Sequence, residues 1–149
     1  MPINILIASD HAGYEMKQYI CNNSINKDYN IIDLGTHSNS SVDYPDFATS
    51  LCNSLKDKNN INPFEITFGV LLCGSGIGMS ITANRYSWIR AALCTDKAFV
   101  ELSRKHNDAN VLVLPARFIN KDDSLEWIDL FINTDFEGGR HSNRLKKIK

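Results

Sequence analysis

Apolar and polar positions along this chain follow two rhythms in alternation. Ile3–Ser9 is almost continuously apolar and β-branched, as in a parallel strand covered on both faces. Asp10-His11-Ala12-Gly13 breaks that run. Met16, Tyr19 and Ile20 then recur at helical spacing, which predicts a helix over 13–24. A second strand is predicted at 30–34, closed by Gly35-Thr36 and a polar loop through Ser41. Pro45 suits the first turn of a helix whose Phe47, Ala48, Leu51, Cys52 and Leu55 form the inward face. The polar residues 56–62 read as a solvated loop.

The chain is organised around the stretch that follows. An apolar run over 69–73 ends in Cys73, the alternating glycines Gly74, Gly76 and Gly78 come next, and Ile77, Ile81 and Ala83-Asn84 resume helical spacing. This is a strand, a tight turn and a helix. Such a turn can aim several backbone N–H groups into one concavity, which suits an anion or a developing negative charge. Further on, a fourth strand is predicted at 90–94 and a helix at 96–106 with Ala98, Phe99 and Leu102 inward and His106 continuing their stripe. A fifth strand follows at 111–114. Asn120, Asp122 and Asp123 cap a last long helix that turns Leu125, Ile128, Phe131 and Ile132 inward. The alternation predicts one α/β domain over 1–149, a Rossmann-like three-layer α/β/α sandwich on a five-stranded parallel sheet. Residues 137–149 form a C-terminal tail.

Composition narrows the function classes. The 149 residues are 43% hydrophobic and 22% charged with a formal net charge of -1, so a general nucleic-acid binder is not expected. No basic leader, long apolar segment or cleavage site is visible at the start, which argues for a cytoplasmic protein and against a membrane one. The four cysteines form no Cys-x-x-Cys pair, as in a reducing setting. His11, His37, His106 and His141 are scattered, with no His-x-x-x-His pair, so no metal site is expected. Cys-Gly-Ser-Gly-Ile-Gly is not the Gly-x-Ser-x-Gly elbow of a hydrolase. Gly74, Gly76 and Asp96 copy part of a dinucleotide fingerprint, but Met79 stands at its third glycine.

Several polar residues carry two local readings. Asp10 is a turn or cap residue, or a carboxylate at the carboxyl end of a strand, where parallel sheets bind ligands. Tyr44 is a hydrophobic staple, or it leans over the cleft. His106 and Asn107 suit a helix C-terminus as well as chemistry. One reaction uses all the pieces, namely moving a carbonyl along a sugar phosphate. Cys73 can take the proton beside the carbonyl, since thiols against a nest of N–H groups ionise more readily than free ones. The glycine amides with Ser75 can hold the enediolate. His106 suits opening of the sugar ring, and Arg140 with Arg144, four apart, can clamp a phosphate.

Six blocks now stand in order: Ser9-Asp10-His11-Ala12-Gly13, Val42-Asp43-Tyr44-Pro45, Leu72-Cys73-Gly74-Ser75-Gly76-Ile77-Gly78, Ala83-Asn84-Arg85, Leu102 through Val111 with its His106-Asn107-Asp108-Ala109-Asn110, and Glu137-Gly138-Gly139-Arg140-His141. Together they resemble the successive signatures of the B-type ribose-5-phosphate isomerases and their relatives. The resemblance implies a metal-free, cofactor-free aldose-ketose isomerase interconverting ribose 5-phosphate and ribulose 5-phosphate. It implies a homodimer or dimer of dimers with active sites between subunits. It makes Cys73 the base, Ser75 with Gly74, Gly76 and Gly78 the enediolate hole, and His106 the ring-opening group. Asp10 and Asn107 would bind sugar oxygens, His11, Arg140 and Arg144 the phosphate, and Tyr44 would line the site. Another branch of the family carries a glutamate base where this chain has Met79. Galactose-6-phosphate and allose-6-phosphate isomerases share the motifs, so a six-carbon substrate is the alternative. The stretch 56–66 looks longer than the family's usual loop.

Overall fold

The structure is a computed structural model that describes residues 3–24, 28–62 and 64–148. Its elements in chain order are β1 (Ile3–Ser9), α1 (Tyr14–Asn23), β2 (Tyr29–Asp33), α2 (Tyr44–Ile61), β3 (Ile66–Cys73), α3 (Ile77–Ala83), β4 (Ala91–Leu93), α4 (Lys97–Asn107), β5 (Val111–Pro115), α5 (Lys121–Asn133) and α6 (Arg140–Leu145). The five strands form one parallel sheet in the order β2-β1-β3-β5-β4. This is the predicted α/β sheet. No helix among the described residues is long and apolar enough to cross a membrane.

Both faces of the sheet are covered, which is why its central strands are apolar without alternation. The period of two still sorts them. Ile5, Ile7, Val70, Leu72, Leu112 and Leu114 pack toward Ile20 of α1, Val100 of α4 and Phe131 of α5. Leu6, Ala8, Leu71, Cys73, Val111 and Val113 pack toward α2 and α3 through Leu51, Leu55 and Met79. Gly69 lies where α2 comes closest to the sheet: a Cβ there would sit 2.7 Å from Leu51 Cδ2.

Two expectations about helices are corrected. Helix α2 runs on through residues 56–61, because helix-favouring lysines continue it after its apolar stripe ends. Lys56 lies 4.3 Å over the Trp88 ring, and Trp88 Nε1 donates to the Cys52 carbonyl at 2.7 Å. Pro63, also in the expected loop, and Lys149, in the expected tail, lie outside the described residues. On α3 the buried residues are Met79 and Ala83, while Ile77 and Ile81 are more than half exposed. On α4 the inward residues are Val100, Ser103 and Arg104; Ala98, Phe99 and Leu102 face out and His106 is half-buried. Arg104 displaces the expected stripe because its Nε and Nη1 find acceptors inside the fold. It donates to the carbonyls of Thr134 at 3.2 Å and Ala109 at 2.5 Å, pairs with Asp108 at 3.0 Å, and lies near the Phe68 and Phe131 rings.

A second buried cation ties β2 to α1. Lys17 is completely buried, and its Nζ donates to both carboxylate oxygens of Asp33 at 2.8 and 2.7 Å. Removing the carboxylate leaves an uncompensated buried charge. Asp33→Ala should therefore lower the unfolding free energy by about 3 kcal/mol, the low end of the usual range because Asp33 reaches solvent. Urea denaturation of the variant against the parent measures this, and Lys17→Met with Asp33→Ala should recover much of the loss.

Candidate active site

The chain leaves β1 toward one edge of the sheet and β3 toward the other, so the loops after these paired strands diverge and leave a crevice. Asp10 forms one wall. Its amide donates to the Leu72 carbonyl at 3.2 Å, and its Oδ1 accepts from the amides of Ala12 at 3.0 Å and Gly13 at 3.1 Å. The turn reading of Asp10 thus holds, and its position opposite the end of β3 holds with it. Only glycine fits at residue 13, where a Cβ would lie 2.8 Å from the Leu72 carbonyl oxygen. The next side chain, His11, accepts the Val42 amide on Nδ1 at 3.2 Å, which leaves Nε2 as the proton-bearing nitrogen of the neutral ring.

Cys73 ends β3, 5% exposed, with its carbonyl accepting from Ala116 N–H at 2.9 Å. Burial pushes the thiols of Cys52 and Cys94 up to about 12 and about 11, so they take no part in thiolate chemistry. After Cys73, Gly76 adopts φ of 76° and turns the chain into α3. The Ser75 hydroxyl accepts from Ile77 N–H at 3.3 Å. The amides of Gly74, Ser75 and Gly76 donate to no group among the described residues. Tyr44, at the start of α2, lays its ring on Gly78, so it leans over this turn as the cleft reading had it.

Arg117 was missed in the sequence. Its N–H donates to the Gly74 carbonyl at 3.0 Å, and a Cβ on Gly74 would meet its Nη1 at 3.0 Å, so the guanidinium packs on the bare glycine backbone. The signal was available, since Arg117 follows the carboxyl end of β5 as Asp10 follows that of β1.

The remaining candidates form a second cluster. His106 and Asn107 end α4; Asp108, not Asn107, takes the left-handed cap with φ of 44°. Glu137 N–H donates to the Lys105 carbonyl at 3.1 Å, and Gly138 and Gly139, with φ of 69° and 59°, turn the chain into α6. His141 thereby stacks on His106, with centroids 4.3 Å apart and planes at 15°. Desolvation, reinforced by His106, Arg140 and Arg144, holds the His141 pKa below its usual value. Arg140 and Arg144 project from α6, exposed. The scattered histidines of the sequence are therefore not all scattered in space.

Within one chain the clusters stay apart. Helix α4 leads into the amino end of β5, whereas Cys73 pairs with Pro115 at its carboxyl end. From the Gly69–Val111 pair to the Cys73–Pro115 pair is four residues, about 13 Å of strand. So Asp10, His11, Tyr44, Cys73, Gly74, Ser75, Gly76 and Gly78 assemble at one end of the sheet. His106, Asn107, Arg140 and Arg144 gather at the other. A cavity of about 580 Å³ between α1, β2 and α5 lies away from Cys73 and its free amides.

The fold is that of an open parallel α/β protein, and the nest after β3 lies at its topological switch point. Residues 5–148 match the Ribose/Galactose Isomerase family, and the chain belongs to it. It is similar to a ribose 5-phosphate isomerase from Thermotoga maritima, at 46% identity and TM-score 0.90 over 98% of this chain and 97% of that one. The Mycoplasma genitalium ribose-5-phosphate isomerase B with bound ribulose-5-phosphate is 37% identical, with TM-score 0.89 over 99% and 95%. The Escherichia coli ribose-5-phosphate isomerase B is 33% identical over 97% and 93%. A Rickettsia typhi relative, 48% identical over 98% and 97%, carries a name that goes only as far as sugar phosphate isomerase. The resemblance to the B-type isomerases is thus a family membership.

The turn itself is testable. At Gly76 a Cβ would impose left-handed strain and sit 2.5 Å from Leu93 Cδ1; at Gly139, whose φ of 59° would strain a side chain too, it would meet nothing within 4 Å. Gly76→Ala should cost about 1 to 3 kcal/mol from the backbone conformation alone, with the crowding added to it. Thermal denaturation of Gly76→Ala against the parent should show this loss.

Proposed function

We propose that this protein interconverts D-ribose 5-phosphate and D-ribulose 5-phosphate without a metal or cofactor, in the cytoplasm, within the non-oxidative branch of the pentose phosphate pathway. The observation that carries the reading is Cys73 set directly before three unengaged amides at the switch point. The ligand of the Mycoplasma genitalium relative supports the substrate.

In this reading the Cys73 thiolate takes the proton from C2 of the open-chain aldose. The C2–H electrons form the C1=C2 bond, and the carbonyl π pair moves onto O1. Gly74, Ser75 and Gly76 N–H groups, with the Ser75 hydroxyl, hold the enediolate charge, while Gly78 lets Tyr44 close over the turn. A proton passes from O2 to O1, and Cys73 returns its proton to C1 to complete the ketose. Donors of this kind each contribute about 3 to 4 kcal/mol to the transition state. Asp10 binds sugar hydroxyls, and His11 and Arg117 place a donor and a cation at the rim.

His106 opens the ring, Asn107 binds a sugar oxygen, and Arg140 and Arg144 grip the phosphate, all supplied by a second copy of the chain. A homodimer, or a dimer of dimers, brings the two ends together. The outward Ile77, Ile81, Phe99 and Leu102 support this: they are 41–57% exposed, α3 packs on the edge strand β4, and α4 follows it. A second reading, a six-carbon sugar phosphate, is favoured by the family's own description, which names galactose beside ribose.

Chelator-treated protein given ribose 5-phosphate should form ribulose 5-phosphate. Cys73→Ser should lose about 10²- to 10⁴-fold in kcat with unchanged circular dichroism. Retained turnover in that variant removes Cys73 as the base, and a higher kcat/KM for galactose 6-phosphate establishes the second reading. Co-expressed Cys73→Ser and His106→Asn chains should recover roughly a quarter of parental activity, since half the pairs are mixed and one site in each mixed pair is intact. No recovery would place each site within one chain.

A further inference from the structure

Three donor side chains converge beside Arg140 and Arg144, and the reaction proposed above gives two of them, Glu137 and His141, no task. His106, Glu137 and His141 each offer one ligand atom, and these atoms all lie within 4.8 Å of one another. His106 Nε2 faces Glu137 Oε1 at 3.7 Å. We propose that His106, Glu137 and His141 form an inhibitory site for a divalent cation of the zinc class.

The donor set is two imidazoles and a carboxylate, the borderline chemistry that zinc prefers over the all-oxygen sets of magnesium or calcium. Zinc bonds of 2.0–2.2 Å put tetrahedral donors about 3.3 to 3.6 Å apart, so closure by about 1.5 Å at most suffices. The Glu137 side chain is half exposed and free to make that movement. The imidazoles lie stacked with planes at 15°, so one ring must also turn about χ2 until both lone pairs point at the ion. Glu137 N–H is tied to the end of α4 through the Lys105 carbonyl, and His141 N–H donates to the Gly138 carbonyl at 3.1 Å, which fixes both histidines on one side of the turn. Three protein ligands leave a fourth position open, as in reversible rather than structural sites.

Arg140 and Arg144 flank the cluster and oppose a cation, while Lys105 is held by Glu101. The site therefore binds its ion best when an anion fills the fourth position. The inhibition rests on the ring-opening role proposed for His106: the cation takes the Nε2 lone pair that would move the proton. Binding itself does not rest on that role.

Cobalt(II) serves as the spectroscopic probe, followed by zinc in competition with a chromophoric chelator, on the full chain. The expected result is one cobalt per chain with the visible bands of a tetrahedral ion, kept in Cys73→Ser. In His141→Gln and Glu137→Gln affinity should fall at least 10-fold, the lower bound set by the 10- to 100-fold typical of losing an outer-shell partner. Zinc should then inhibit the parent reversibly, with chelator restoring turnover, and should inhibit His141→Gln at least 10-fold more weakly. Absent bands, bands unmoved in both variants, or bands lost in Cys73→Ser would overturn the site. Binding as expected without inhibition would overturn the inhibitory role and the assignment of His106, while leaving Cys73 untouched.

Discussion

The pairing of β1 with β3 is the constraint from which the rest of the structure descends. The chain goes from β1 to β2 on one side of the pair and from β3 to β4 on the other, so the crossovers leave in opposite directions. That geometry opens a crevice at their carboxyl ends and brings Asp10 opposite Cys73 without any loop having to travel. It also makes the approach so close that side chains are excluded where the backbones meet. Gly13 at the Leu72 carbonyl and Gly76 at Leu93 belong to the same packing problem.

Much of this was legible in order along the chain, because long apolar strands and proline- or asparagine-capped helices speak through local chemistry. The rest was not, for identifiable reasons. The end of α2 was hidden because a stripe stops where burial stops, whereas a helix stops where its backbone does. The phase of α4 was misread because Arg104, a charge, occupies the inward position that apolar periodicity assigns to its neighbours. Ile77 and Ile81 mimic a core stripe from the outside. The division of the candidate site was legible in principle: residues at the end of a helix entering a strand lie at that strand's amino end, so His106 and Cys73 belong to opposite rims. Arg117 went unnoticed because no glycine or histidine marks it, only its place after β5.

The charges of this protein fall into two populations. Lys17 and Arg104 are buried, Lys17 held by the Asp33 carboxylate and Arg104 by the Asp108 carboxylate and the carbonyls of Thr134 and Ala109. Their contribution is to shape, since a buried ion with every partner in place is costly to disturb and of little use to a substrate. The groups grouped around the crevice and the tail behave otherwise. The amides of residues 74–76 and the guanidinium groups of Arg140 and Arg144 are left with hydrogen-bonding capacity to spare.

The opposition of the two rims also limits how copies of the chain can be arranged. If Cys73 of one copy meets His106 of another, a two-fold axis between them makes the reverse encounter at the same time, and both sites are complete in a closed pair. A head-to-tail arrangement would satisfy each encounter singly, leave an unmatched rim at either end, and continue as a filament unless its rotation closed a ring. The placement of a few polar residues at opposite ends of one sheet is therefore also a rule about symmetry, and it favours an assembly that can stop growing at two.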